Sequence, residues 1–194
     1  MSEEQNEKPF IVDVGCGDRK VEGAFGVDFR EIPGVVDLVA DVSTLDQTLW
    51  CERGLPQADA VVARHVLEHF PYRDSARILA GWVGLVRPGG LVHIEVPRMD
   101  FLARHWFDRP GNLEWQRWLI NMAYGEEDYT GNFHMTLFSM ELLKDVMERA
   151  GLVNVQVQDA IQVAVGVGTK PEGWSMPTEE RLSYPFQHFP VNFR

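Results

Sequence analysis

At 194 residues, with 45% hydrophobic and 11% aromatic content, the chain is long enough to bury roughly 70% of its unfolded surface as one domain. Its net charge of −11 argues against a nucleic-acid partner, whose phosphates are met by Lys and Arg, although Arg64, Arg73, Arg77, Arg87, Arg98, Arg104 and Arg109 gather in the middle third. No apolar run nears the ~20 residues of a membrane helix, the two cysteines are too few for a disulfide framework, and the polar start MSEEQNEK is not a signal peptide. The expectation is a cytoplasmic protein with no nucleic-acid or membrane partner and a disordered stretch over residues 1–8.

Phe10–Val14, Phe25–Phe29, Val35–Ala40, Ala58–Ala63 and Leu91–Val96 are short, Val-rich runs bounded by Gly, Pro or Asp, as buried parallel strands are. Asp74 is placed to cap a helix in which Ala76, Leu79, Ala80, Val83 and Val86 recur at helical spacing, and Pro88-Gly89-Gly90 stops it. Met99–Phe138 then brings Trp106, Phe107, Trp115, Trp118, Tyr124, Tyr129 and Phe133 after the fifth strand, where a doubly wound fold builds its substrate wall. A second helix starts at Ser139, shows Leu143, Val146, Met147 and Ala150 on one face, and ends at Gly151. Val153–Val157 and Gln162–Val167 follow as an antiparallel strand pair. The Pro- and aromatic-rich tail Pro171–Arg194 suits packing on the core or on a second subunit, as in a homodimer. The order gives an α/β protein with an open, mostly parallel sheet.

In such sheets ligands sit beyond the carboxyl ends of the strands. The first strand ends Asp13-Val14-Gly15-Cys16-Gly17, whose glycines let a backbone approach a ligand closely. A dinucleotide fingerprint needs a third glycine at position 20 and a helix behind it. Position 20 is Lys20, and Lys20–Ala24 is too short for a helix. No P-loop string exists either, so NAD and ATP are both disfavoured. Asp28 ends the second strand, where an acid binds ribose hydroxyls, and Asp41-Val42 follows the third, where a carboxylate can accept from an adenine amine. The plain alternatives are a turn-initiating Asp28 and a helix-entry Asp41 before Ser43-Thr44. The trio favours a nucleoside without phosphates.

Together "VDVGCG", "GVD", "ADV", "ARHVLEHF" and "LVRPGGLVHIEVP" resemble the class I S-adenosylmethionine-dependent methyltransferases. The likeness is strongest to a group whose first glycine motif runs almost directly into G-x-x-x-V-D. "NFHMTLFSMELLKDVMERAGL" is similar to the segment before the sixth strand there, and the likeness spans about residues 9–170. The departure is Asp18-Arg19-Lys20 in place of a third glycine, which a phosphate-free cofactor tolerates. The resemblance implies a Rossmann-like, doubly wound, seven-stranded sheet with an antiparallel last strand, and residues 98–138 inserted as a cap. It implies S-adenosylmethionine as cofactor and S-adenosylhomocysteine as product. Asp13, Gly15, Cys16 and Gly17 would border the amino-acid end, Asp28 the ribose, and Asp41 with Val42 the adenine. Arg64 and His65 would lie near the methionine and the methyl group. The group's frequent association with surface polysaccharides implies a small-molecule or saccharide acceptor.

"HVLEH" invites a zinc reading, since His65 and His69 are four apart. A zincin motif wants Glu where Val66 stands, and no third ligand is apparent in the sequence, so no metal is expected. His69 reads as a helix cap. His65, at a strand end, and His134, in Gly131-Asn132-Phe133-His134, are the candidate catalytic residues for accepting a proton. Tyr129 and Asp100 are further candidates nearby, and His134 as a loop-stabilising hydrogen bonder is the plain alternative. A catalytically silent cofactor-binding or partner protein of the same fold is the competing reading.

Overall fold

The computed structural model describes residues 8–184. Seven strands lie in the order β3-β2-β1-β4-β5-β7-β6: β1 Ile11–Val14, β2 Phe25–Asp28, β3 Leu38–Val39, β4 Ala58–Arg64, β5 Val86–Pro97, β6 Val153–Ala160 and β7 Val163–Thr169. The first five are parallel, and β7 runs antiparallel to both of its neighbours. This is the expected doubly wound sheet with an antiparallel last strand. Strand order reverses between β1 and β4, and that crevice is where such sheets bind ligands. Val12, Val14, Val27, Val61, Val92, Ile94 and Val96 are fully buried, as the Val-rich runs demand when helices cover both faces. Among the described residues no helix is long and apolar enough to cross a membrane.

The helices are α1 Gln47–Glu52, α2 Tyr72–Leu85, α3 Met99–His105, α4 Leu113–Tyr124, α5 Met140–Arg149 and α6 Glu179–Leu182. On α5, Ser139 Oγ accepts from the Leu142 N–H (3.1 Å), Leu143, Val146 and Met147 are buried, and Gly151 turns out of the helix at φ 91°, all as the sequence predicts. The gap between β1 and β2 holds no helix. Its loop is closed instead by Asp13 Oδ2, which accepts from the Val21 N–H at 2.6 Å.

Local competition explains where the expected boundaries move. The third strand shrinks to two residues because the Ile32 carbonyl accepts from both Val35 and Val36, holding those valines in a turn. Helix α2 starts after Pro71, so Asp74 sits in its first turn and not at its cap. Pro88-Gly89-Gly90 does not stop this helix, which ends at Leu85; the three belong to β5, where Gly89 N–H donates to Lys170 O (2.9 Å) and Lys170 N–H to Gly90 O (3.0 Å). Helices α1, α3 and α4 were not signalled, although Asp46 and Asn112 cap two of them.

Residues 171–184 lie against α2 and α5. Trp174 Nε1 donates to Ala150 O (3.2 Å), Leu182 is buried, and the Tyr184 ring is 4.2 Å from that of Tyr72. The remainder of the tail, with Phe186, Phe189 and Phe193, and the N-terminal stretch expected to be disordered lie outside the described residues apart from Lys8.

Candidate active site

Beyond the carboxyl ends of β1, β2 and β4 opens a cavity of about 1010 Å³. Asp13, Gly15, Cys16, Gly17, Asp28, Asp41, Val42, Arg64 and His65 all line it, and so does His134. The β1 turn is tightly tied. Gly15 and Cys16 N–H both donate to Val27 O (2.7 and 3.2 Å), and Gly17 N–H donates to Asp28 Oδ2 (2.9 Å). Gly15 (φ 66°) and Gly17 (φ 54°) occupy the left-handed region, which glycine enters without steric cost. A Cβ on Gly15 would stand 2.5 Å from a Val66 methyl, so Val66 packs where any other side chain would go. Burial, with Asp13 and Asp28 nearby, pushes the Cys16 thiol up to about 11, which leaves it a neutral wall residue.

The three aspartates differ in what holds them. Asp13 is buried and takes the Val21 N–H, with Arg64 Nη2 3.5 Å away. Burial raises its pKa, against the lowering by Val21 and Arg64. The same Arg64 nitrogen donates to Arg19 O (2.6 Å), while its Nε is buried without a hydrogen-bond partner. Asp28 is buried too: Oδ1 accepts from the N–H and Nε of Arg30 (2.9 and 3.2 Å), and Oδ2 accepts from Gly17. About one of a carboxylate's roughly four acceptor positions thus stays open. A vicinal diol fits if the longest of the three bonds, from Arg30 Nε, yields. Arg30 itself is stacked 4.3 Å over the Tyr129 ring. Asp41 is exposed, and its Oδ1 accepts from both N–H and Oγ of Ser43 in a turn; the helix entry weighed as its alternative does not form there, since α1 starts at Gln47 with Asp46 as its cap. Val42 is buried, and its carbonyl accepts from Trp82 Nε1 (2.8 Å).

Histidines gather at the end of β4. His65 holds φ 55°, a conformation uncommon outside glycine. Its Nδ1 lies 3.3 Å from Oε1 of Glu68, and the Glu68 carboxylate raises the imidazole pKa against the effect of burial. His69 and His134 rings meet edge to face, 5.0 Å apart. His69 Nδ1 contacts Phe133 O and His134 Nδ1 contacts Met122 O, each at 3.1 Å. Burial lowers the His134 pKa. Residues 133–136 are laced to this turn, since Met135 and Thr136 N–H donate to Glu68 O (2.8 and 3.1 Å) and Thr136 Oγ1 to Phe70 O (2.7 Å).

The expected aromatic wall is mostly elsewhere. Tyr129 and Phe133 face the cavity, but Trp106, Phe107, Trp115, Trp118 and Tyr124 do not. Trp115 and Trp118 stack on each other (4.9 Å) and on Phe101 and His105 across α3 and α4. Asp100 is also outside the lining, because Arg98 binds it. The wall is the loop of residues 126–134. Arg30, Glu68, His69 and Glu95 were not assigned from sequence. The signal for Glu68 was a charged residue set between apolar neighbours in "HVLEHF". Seven carboxylates against three arginines line the cavity, and that balance favours a cationic ligand over a phosphorylated one.

Residues 1–157 match a family model described as "Methyltransferase domain". No curated protein matches the sequence. Among solved structures, an O-methyltransferase family protein from Burkholderia thailandensis is 19% identical with a TM-score of 0.55, over 86% of this chain and 52% of that one. The 1,6-didemethyltoxoflavin-N1-methyltransferase of the same organism, solved with 1,6-didemethyltoxoflavin and S-adenosylhomocysteine, is 17% identical with a TM-score of 0.53, over 84% and 72%. Human N-acetylserotonin methyltransferase, in complex with SAM, is 16% identical with a TM-score of 0.54, over 84% and 48%. At these identities the likeness is one of fold, and the chain spans about half the length of the first and third. The family match over most of the sequence, on a sheet of this order with this strand-end cavity, shows that the chain belongs to the class I S-adenosylmethionine-dependent methyltransferases.

Proposed function

We propose that the cavity binds S-adenosylmethionine and that the protein moves its methyl group to a small-molecule or saccharide acceptor by in-line displacement. The observation that carries this reading is the convergence of all nine cofactor positions chosen from sequence, together with His134, on one acidic cavity. When bound, the cofactor supplies a methyl group on a sulfonium, a leaving group that needs no activation. The chain's residues have the remaining tasks of orienting, excluding water and moving a proton. The β1 turn and Arg64 hold the amino-acid end, Asp28 accepts from the ribose hydroxyls, and Val42 covers the base with Asp41 at its edge. His65 takes the acceptor's proton, and His134 helps to orient the acceptor beneath residues 126–134.

Thermal unfolding with S-adenosylmethionine, S-adenosylhomocysteine and NAD tests the pocket. Ligand at about 100 times its dissociation constant adds roughly 2.7 kcal/mol, an upshift of roughly 5–10 °C at this size. The two sulfur compounds should give it, NAD should not, and Asp28→Ala should abolish it. No shift with either sulfur compound would end this reading. Transfer of a labelled methyl group to a panel of saccharides and hydroxylated small molecules then tests the reaction, with His65→Ala expected to slow it about 100-fold or more. Binding without transfer to any acceptor would favour the catalytically silent alternative.

A further inference from the structure

The strongest unspent feature is Glu68. It is fully buried, and neither carboxylate oxygen makes a well-aligned hydrogen bond, although His65 Nδ1 lies 3.3 Å from Oε1. An isolated buried carboxylate is expensive unless a proton or a cation meets it. Two further imidazoles, those of His69 and His134, stand beside it. In each, Nδ1 faces a carbonyl oxygen, Phe133 O for His69 and Met122 O for His134. A carbonyl only accepts, so Nδ1 carries the proton and Nε2 presents a lone pair. His134 Nε2 lies 4.0 Å from Glu68 Oε1, and one ligand atom from each of Glu68, His69 and His134 falls within 4.8 Å of the others. Each of the three thus offers a ligand atom close to those of the other two.

We infer that Glu68, His69 and His134 form a divalent-cation site. Imidazoles whose second nitrogen is fixed by a backbone carbonyl are the usual form of metal-ligating histidine. Two nitrogens and one oxygen suit a first-row transition ion such as Zn²⁺ or Mn²⁺; Mg²⁺ and Ca²⁺ prefer oxygen alone. Bonds of about 2.0–2.2 Å need the three groups to draw together, which side-chain rotation of the half-buried His69 supplies. Three protein ligands leave coordination open, and the open side faces the cavity that His69 and His134 line. An acceptor hydroxyl there would be held and acidified, its proton passing to His65 as the C–S bond breaks, the C–O bond forms and sulfur keeps the electron pair. That last role rests on the methyltransferase reading, while the binding does not.

The test uses the full chain without histidine tags, freed of metal by a chelator, and titrates Zn²⁺, Mn²⁺ and Mg²⁺ by calorimetry and thermal unfolding. One equivalent of Zn²⁺ or Mn²⁺ should bind and raise Tm by several degrees, with Mg²⁺ at least tenfold weaker. Glu68→Gln and His69→Ala should each weaken binding 100-fold or more, and His105→Ala on α3 should not. No stoichiometric binding, or equal binding in the Glu68 and His69 variants, overturns the site. S-adenosylhomocysteine is titrated into the same samples, so loss of the cofactor reading registers separately from loss of the cation.

Discussion

The two ends of the cavity are built on opposite terms. At the β1–β2 end the polar groups are spent on one another: Gly15 and Cys16 on Val27, Gly17 and Arg30 on Asp28, Val21 on Asp13. At the end of β4 the polar side chains are only partly spent. His69 and His134 are pinned through Nδ1, His65 is held at positive φ with Nδ1 3.3 Å from Glu68, and neither oxygen of that carboxylate makes a well-aligned hydrogen bond. The first end holds its shape before any ligand arrives, as a site for an invariant cofactor should. The second keeps its binding capacity in reserve for whatever comes from solution.

If the β1 end is preorganised by backbone ties, breaking one of them should cost stability before it costs affinity. Gly15→Ala should be the most damaging, because it adds left-handed strain to an overlap with Val66. We expect a loss of about 3 kcal/mol, a Tm lower by roughly 6–12 °C. Gly23→Ala is the control: its φ is 77° with nothing within 4 Å of an added Cβ, so only about 1 kcal/mol of strain should appear. Asp13→Ala should cost about 1–3 kcal/mol by leaving the Val21 N–H without an acceptor and removing the carboxylate beside Arg64, read from denaturant unfolding. Arg30→Ala sharpens the contrast at the smallest scale. Freed of its competitor at Oδ1, Asp28 should bind S-adenosylhomocysteine roughly two- to fivefold tighter, since such half-exposed ion pairs are worth about 1 kcal/mol or less. Weaker binding would mean that Arg30 serves the ligand and not only Asp28.

What the sequence made legible was whatever depends on neighbours in the chain. The glycine turn, the lack of room for a helix before β2 and the Ser139 cap all follow from spacing. So do the strand-end positions of Asp28 and His65. Contacts between distant segments were not legible. Glu68 and His69 meet His134 only because residues 133–136 return to the turn after β4, so the third donor stands 65 positions away from His69 in the chain. Local aromatic density likewise did not reveal that Trp115 and Trp118 on α4 meet His105 and Phe101 on α3. Proline and glycine at 88–90 read as a helix stop because the pairing that recruits them into β5 comes from Lys170.

The lacing of residues 124–136 has a consequence for motion. Glu127 N–H donates to Asn132 O and His134 N–H to Tyr124 O, while Met135 and Thr136 bond to Glu68. Segments tied in this way open cooperatively, not residue by residue. The amides of His134, Met135 and Thr136 should therefore show one shared opening free energy in hydrogen exchange, as expected of a wall that yields as a unit.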